Sequence, residues 1–175
     1  MLKGISARLS FTVLGVTALA IVTADARAAL EMGSYSNAPG GKEIEAGDYD
    51  AAIALASSPV WRHDVEAALT AATNLCVAYT VKRELEGAYT ACGEALTLAR
   101  RVDKAPGARL RGSPATARAL TNRGVLRAIA GDSLGAAADF RDADRLADTW
   151  AAPSRNLAHL ESSPAHRLAM ARASN

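Results

Sequence analysis

The chain has 175 residues, with 20 Lys and Arg against 18 Asp and Glu, two Cys and three His. Charge this close to balance excludes a global electrostatic case for nucleic acid binding. Two cysteines exclude a four-Cys zinc site, and no Cys-x-x-Cys redox motif occurs.

The N-terminus reads as a sorting signal. Lys3 and Arg8 precede an apolar run from Leu9 to Thr23, and Ala26-Arg27-Ala28 has the small-x-small form of a cleavage site. The run is shorter than the roughly 20 residues a membrane span needs. No Cys stands near the cleavage point to accept a lipid. Cleavage after Ala28 removes Lys3, Arg8 and Arg27 with Asp25, which leaves the remainder with balanced charge. The expected location is a bacterial periplasm or beyond it. Residues 1–28 are then the signal, 29–43 a poorly ordered lead-in, 44–161 a helical domain and 162–175 a tail.

Next come repeats. Shifted by 48 residues, Asn74 falls on Asn122, and Ala71/Ala119, Thr73/Thr121, Val77/Val125, Gly87/Gly135, Ala88/Ala136, Ala95/Ala143 and Leu98/Leu146 are identical pairs. A third start, Asn156-Leu157-Ala158, lies 34 residues after Asn122. A period near 34 in an Ala-rich chain indicates stacked helix pairs. Gly47-Asp48-Tyr49 to Ile53 is the turn and second helix of a degenerate early unit, whose first helix is short or missing because Pro39-Gly40-Gly41 interrupts it.

The best-formed unit spans about 64–101. Leu69, Ala72, Leu75, Cys76 and Tyr79 keep helical spacing, as do Leu85, Ala88, Cys92, Ala95 and Leu96 after a break at Lys82-Arg83-Glu84. Cys76 and Cys92 lie symmetrically about that break, so an antiparallel hairpin sets them level. In an oxidising compartment they pair. The bond closes a loop of about 15 residues and stabilises by roughly 3 kcal/mol on the chain-entropy model. In the next unit, 113–150, the equivalent positions are Gly124 and Phe140, a small residue facing a large ring. There Ser113-Pro114 starts the first helix, and Gly131-Asp132 ends it and caps the second.

Asn-Leu-small, then Tyr, a Gly-Asp turn, Ala, an aromatic and Ala resemble the tetratricopeptide repeat. Asn122, Gly124, Gly131, Asp132, Ala136, Phe140 and Ala143 carry the likeness in one unit, and Asn74, Leu75, Tyr79, Ala88 and Ala95 in the one before. The resemblance implies an all-α, α-α superhelix, a tetratricopeptide-like solenoid of two good repeats plus partial terminal repeats. It also implies a groove lined by first helices that takes a peptide or partner helix. By repeat position the groove residues are Thr73, Asn74, Val77, Thr80, Val81, Arg118, Thr121, Asn122, Val125 and Ile129. Arg123 departs from the pattern by standing at an apolar position. The other departure is an insertion of about 101–114. Arg100, Arg101, Lys104, Arg109 and Arg111 cluster in and beside it with Asp103 as the one acid. They suit an anionic surface, or are simply a solvated loop.

Chemistry is sparse. Gly131-Asp132-Ser133-Leu134-Gly135 satisfies Gly-x-Ser-x-Gly and looks like the first block of Gly-Asp-Ser-Leu esterases. A nucleophile elbow needs a strand before the Ser, whereas residues 120–130 have a helical pattern. His63, His159 and His166 lack metal-ligand spacing and suit surface or cap positions. Trp61 and Trp150 each follow a second helix, where they cover core or line a groove end.

The functional expectation is a non-enzymatic, periplasmic interaction module without cofactor or metal. Its partner would be a protein or peptide, with no role in nucleic acid binding. A self-associating envelope subunit is the alternative, and an esterase using Ser133 the remote one.

Overall fold

A computed structural model describes residues 30–104 and 114–174. They form eight α-helices and one short 3-10 turn, and the described residues contain no strand. α1 (Gly41–Ala46) and α2 (Tyr49–Ala56) precede the 3-10 turn Pro59–His63. α3 (Val65–Lys82) pairs with α4 (Leu85–Lys104), and α5 (Ala115–Ile129) with α6 (Ser133–Leu146). α7 (Ala152–Ser162) and α8 (Pro164–Ala173) follow. Each helix packs on the next, and α3, α5 and α7 also touch in order. Successive helical hairpins are thus stacked, with three first helices side by side. No helix among the described residues is long and apolar enough to cross a membrane.

Alanine sets the packing distance. Ala88, Ala95, Ala99, Ala117, Ala136, Ala143 and Ala152 are essentially inaccessible, so neighbouring backbones lie close and few large side chains are needed. Phe140 is the largest fully buried one. Its ring fills the space over Gly124, where a Cβ would lie 2.5 Å from Cε1. At the equivalent place one unit earlier, Cys76 and Cys92 form a disulfide, with Cα atoms 4.7 Å apart and both residues inaccessible. One repeat thus joins its two helices with a ring against a glycine, and the other with a covalent bond.

The inter-helix turns also repeat. Glu43, Tyr79 and Arg127 carbonyls accept from the amides of Asp48, Glu84 and Asp132, closing the same wide loop three times. The residue inside each loop is left-handed: Gly47 at φ 78°, Arg83 at 61° and Gly131 at 88°. Asp48 and Asp132 then cap the next helix through Ala51 N and Gly135 N. Asp132 lies so close that a Cβ on Gly135 would fall 2.1 Å from its carboxylate. Capping therefore accounts for Gly131, Asp132 and Gly135 of the esterase-like block.

Three expectations are corrected. Residues 30–43 are not a loose lead-in: residues 30–39 lie along the helices, and α1 begins at Gly41. Within 162–175, residues 164–173 form α8, because Ser163 caps it through His166 N and Pro164 fits its first turn. α5 also takes a cap from the preceding helix. Asp103 on α4 accepts from Ala115 N at 3.0 Å and Thr116 N at 2.8 Å, so its carboxylate ties the two ends of the insertion together. Arg109, Arg111 and Ser113 lie outside the described residues. His166 is buried, not superficial, because α8 folds back on α6.

Arg123 is held by its helix partner. Asp139, buried on α6, accepts from Arg123 Nε at 2.8 Å and Nη2 at 2.6 Å, and pairs with Arg127 at 3.0 Å. The bond to Asp139 holds the Arg123 guanidinium above its ordinary range.

Arg83 is the one left-handed residue among the described non-glycines. A side chain there costs roughly 1–2 kcal/mol, partly offset by the greater unfolded-state freedom of glycine. Arg83→Gly should therefore stabilise by about 0.5–1 kcal/mol, raising the melting temperature by a few degrees in thermal unfolding. A fall would mean that the Arg83 side chain makes a contact outweighing the strain.

Candidate functional site: a row of asparagines holding an extended segment

Three asparagines occupy one repeat position on the three first helices: Asn74 on α3, Asn122 on α5 and Asn156 on α7. All are 2% exposed or less. A buried carboxamide must find both a donor and an acceptor. Here both come from one backbone residue each, all in the chain's own segment before α1.

Asn156 Oδ1 accepts from Glu31 N and its Nδ2 donates to Glu31 O, both at 2.8 Å. Asn122 does the same with Gly33, at 2.8 and 2.9 Å. Asn74 pairs with Tyr35 N at 2.8 Å and Tyr35 O at 3.1 Å, and its Nδ2 also donates to Pro39 O at 2.9 Å. Residues i, i+2 and i+4 thus turn their polar groups to one side, the pattern of extended chain. The segment crosses α7, then α5, then α3, against the order of the repeats.

Its side chains alternate accordingly. Leu30 and Met32 point into the helices. Both pack on the cluster of Val125, Phe140 and Leu160, and Met32 also reaches the one around the disulfide. Glu31, Gly33 and Tyr35 face the other way. Arg155 grips both oxygens of Glu31 at 2.7 Å, and this bond holds the Glu31 carboxyl below its usual range. Arg118 donates to Ser34 O at 2.7 Å and lays its guanidinium 4.4 Å from the Tyr35 ring centre and 5.5 Å from that of Trp150. Burial pushes the Tyr35 phenol up from its usual range. Gly33 sits under this layer: a Cβ would lie 3.1 Å from Arg118 and 3.2 Å from Trp150.

Of the ten residues expected to line a groove, Asn74, Asn122 and Arg118 hold the segment by polar contacts. Thr73 and Thr121 are buried and return their hydroxyls to Leu69 O and Ala117 O. Thr80 and Val77 are buried, Val125 is core, Ile129 is half-buried and Val81 is exposed. Asn156, Arg155 and Trp150 complete the site and were not among the ten. The Asn156-Leu157-Ala158 start was the available signal for the first of them. Trp61 instead belongs to the 3-10 turn and donates from Nε1 back to Leu55 O on α2.

No protein-family model matches this chain, and no curated protein or solved structure was found similar to it. The site must be read from its own geometry.

That geometry suits holding a polypeptide. Among the described residues no His, Cys, Asp and Glu group could hold a metal. Ser133 opens α6 directly after the capping Asp132, and no hydrogen bond joins it to His159. Arg100, Arg101 and Lys104 are exposed at the end of α4.

Two outcomes follow from the pairing. Asn122→Asp keeps the acceptor for Gly33 N but turns a second oxygen on Gly33 O. Losing one bond and leaving a buried carbonyl unpaired costs roughly 2–3 kcal/mol. Denaturant unfolding should register that loss, and hydrogen exchange should show the Gly33 amide opening sooner. The second outcome is acid release. An undocked glutamate titrates near 4.5, and Glu31 when docked titrates lower. Its contribution is therefore complete above that ordinary value and disappears as pH falls through the docked one. The pair is exposed, so its effect is small. Amide exchange at residues 31–35 should accelerate at low pH in the wild type, beyond the intrinsic pH dependence, and Arg155→Leu should abolish that excess.

Proposed function

We propose that the protein is a non-enzymatic, exported interaction module of tetratricopeptide type whose groove, formed by α3, α5 and α7, holds an extended polypeptide. The carrying observation is the asparagine row, with each carboxamide paired to the N–H and C=O of one residue of extended chain. This pairing recognises main chain, which every polypeptide has, and has no use in transforming a small molecule. The disulfide supports an oxidising compartment, as does the signal-like N-terminus. Cleavage after Ala28 would make Ala29 the new N-terminus, one residue before Leu30, where the held segment begins. The partner class is a protein segment presented as strand, in the role of an adaptor or assembly factor.

The test is a photoreactive amino acid at Val81, which is 46% exposed on α3 about two helical turns beyond Asn74. Irradiation of intact cells should cross-link the exported protein, its N-terminus at Ala29, to other polypeptides. Asn122→Asp should cut the yield severalfold. Cross-linking that ignores Asn122→Asp but vanishes when Arg100, Arg101 and Lys104 are neutralised would move the site to the end of α4. An intact Met1 end on the accumulated protein would overturn export with cleavage.

A further inference from the structure

The row demands a strand, but it does not demand residues 30–35. Six of the hydrogen bonds go to main-chain atoms of Glu31, Gly33 and Tyr35, and any extended chain offers the same. The segment joins the helices only through the turn at 36–40, where Ala38 N and Gly41 N bond back to Tyr35 O and Ala38 O. Its charged contact with Arg155 is exposed on both sides, at 44% and 58% of side-chain area, and such pairs hold weakly. With the segment in place the three carboxamides behind it are buried, and each spends its acceptor and a donor on it. A strand that replaced the segment would recover the same six bonds through its own main chain.

Resting on the interaction-module reading above, we propose that residues 30–35 are a tethered occupant of the groove and that the external partner is a strand of the same pattern: apolar, acidic, apolar, glycine, any residue, aromatic. Each element of the pattern has its cause. The apolar positions are those of Leu30 and Met32, which enter the helix layer beside Val125 and Phe140. The acidic one meets Arg155. Glycine is favoured because a Cβ on Gly33 would press on the Arg118 and Trp150 side chains at 3.1 and 3.2 Å, and a larger side chain would have to push them aside. The open position is that of Ser34, which contributes its carbonyl to Arg118. The aromatic one lies against the Arg118 guanidinium. A short tether holds its own strand at an effective concentration on the order of millimolar. A free ligand must compete with that tether, so its apparent affinity is the intrinsic one multiplied by the small fraction of grooves the tether does not fill.

The test uses the full chain and a fluorescent, N-acetylated peptide spanning residues 30–37. In Gly33→Val the tethered strand is crowded against Arg118 and Trp150, whereas the peptide, which keeps its glycine, is not. Fluorescence anisotropy should show this variant binding the peptide at least tenfold more tightly than the wild type. Adding Asn122→Asp should remove the binding, and a peptide with valine in place of Gly33 should not bind at all. Glu31→Arg, which turns a like charge on Arg155, releases the tether by a different route and should also raise peptide affinity. Circular dichroism follows the fold of each variant. Folded variants that bind the peptide no better than wild type would overturn the proposal. So would loss of cooperative unfolding in both, which would make the strand an integral part of the core. Failed exchange alongside an intact Val81 cross-link would sink the tethered-occupant reading alone. Exchange without any cross-link would leave it standing and sink the module.

Discussion

Everything on the working face follows from one constraint: an asparagine side chain buried between helices must be given both a donor and an acceptor. A helix cannot supply them, because its own amides and carbonyls are already paired along the axis. Repetition turns this local difficulty into a track. The same residue at the same place in three successive hairpins makes three carboxamides in line. Only a chain that offers paired N–H and C=O groups at every second residue satisfies all of them together.

The helix layers are built to make that line possible. The residues the asparagines hold are two apart, a step of about 6.6 Å along extended chain, and alanine at the helix contacts keeps the layers close. The disulfide in one hairpin and Phe140 over Gly124 in the next fix each helix against its partner, so the row stays in register. The Asp139 bridge to Arg123 and Arg127 does similar work with charge on the α5/α6 hairpin.

The helical part of this was written openly in the chain. The shift of 48 residues, the three asparagine starts, the level cysteines and the Gly124–Phe140 substitution all follow from side chains recurring at fixed steps. The held segment was not legible. Residues 30–35 have no helical period, and their partners lie 39 to 125 positions away. Its bonds are made through main chain, which leaves no mark on residue type. The one visible mark was Gly33, an unremarked glycine in a short stretch before the first repeat. Polarity misled as well. Thr73 and Thr121 look like groove residues in a helical projection, but their hydroxyls are spent on their own helix. The asparagines beside them carry their polar atoms one bond further from Cα than a threonine hydroxyl, and reach across.

A primary amide turned through half a rotation exchanges its oxygen for its nitrogen and keeps nearly the same outline. Each asparagine of the row can therefore meet a strand running either way, so the row by itself is blind to direction. What makes the track one-way is its flanks, where Arg155 stands at the α7 end and Arg118 with Trp150 arches over the middle. Adherence and polarity thus reside in different residues of the same face. A chain threaded backwards would find every amide willing, with its acidic group far from Arg155 and its aromatic ring at the wrong end of the track.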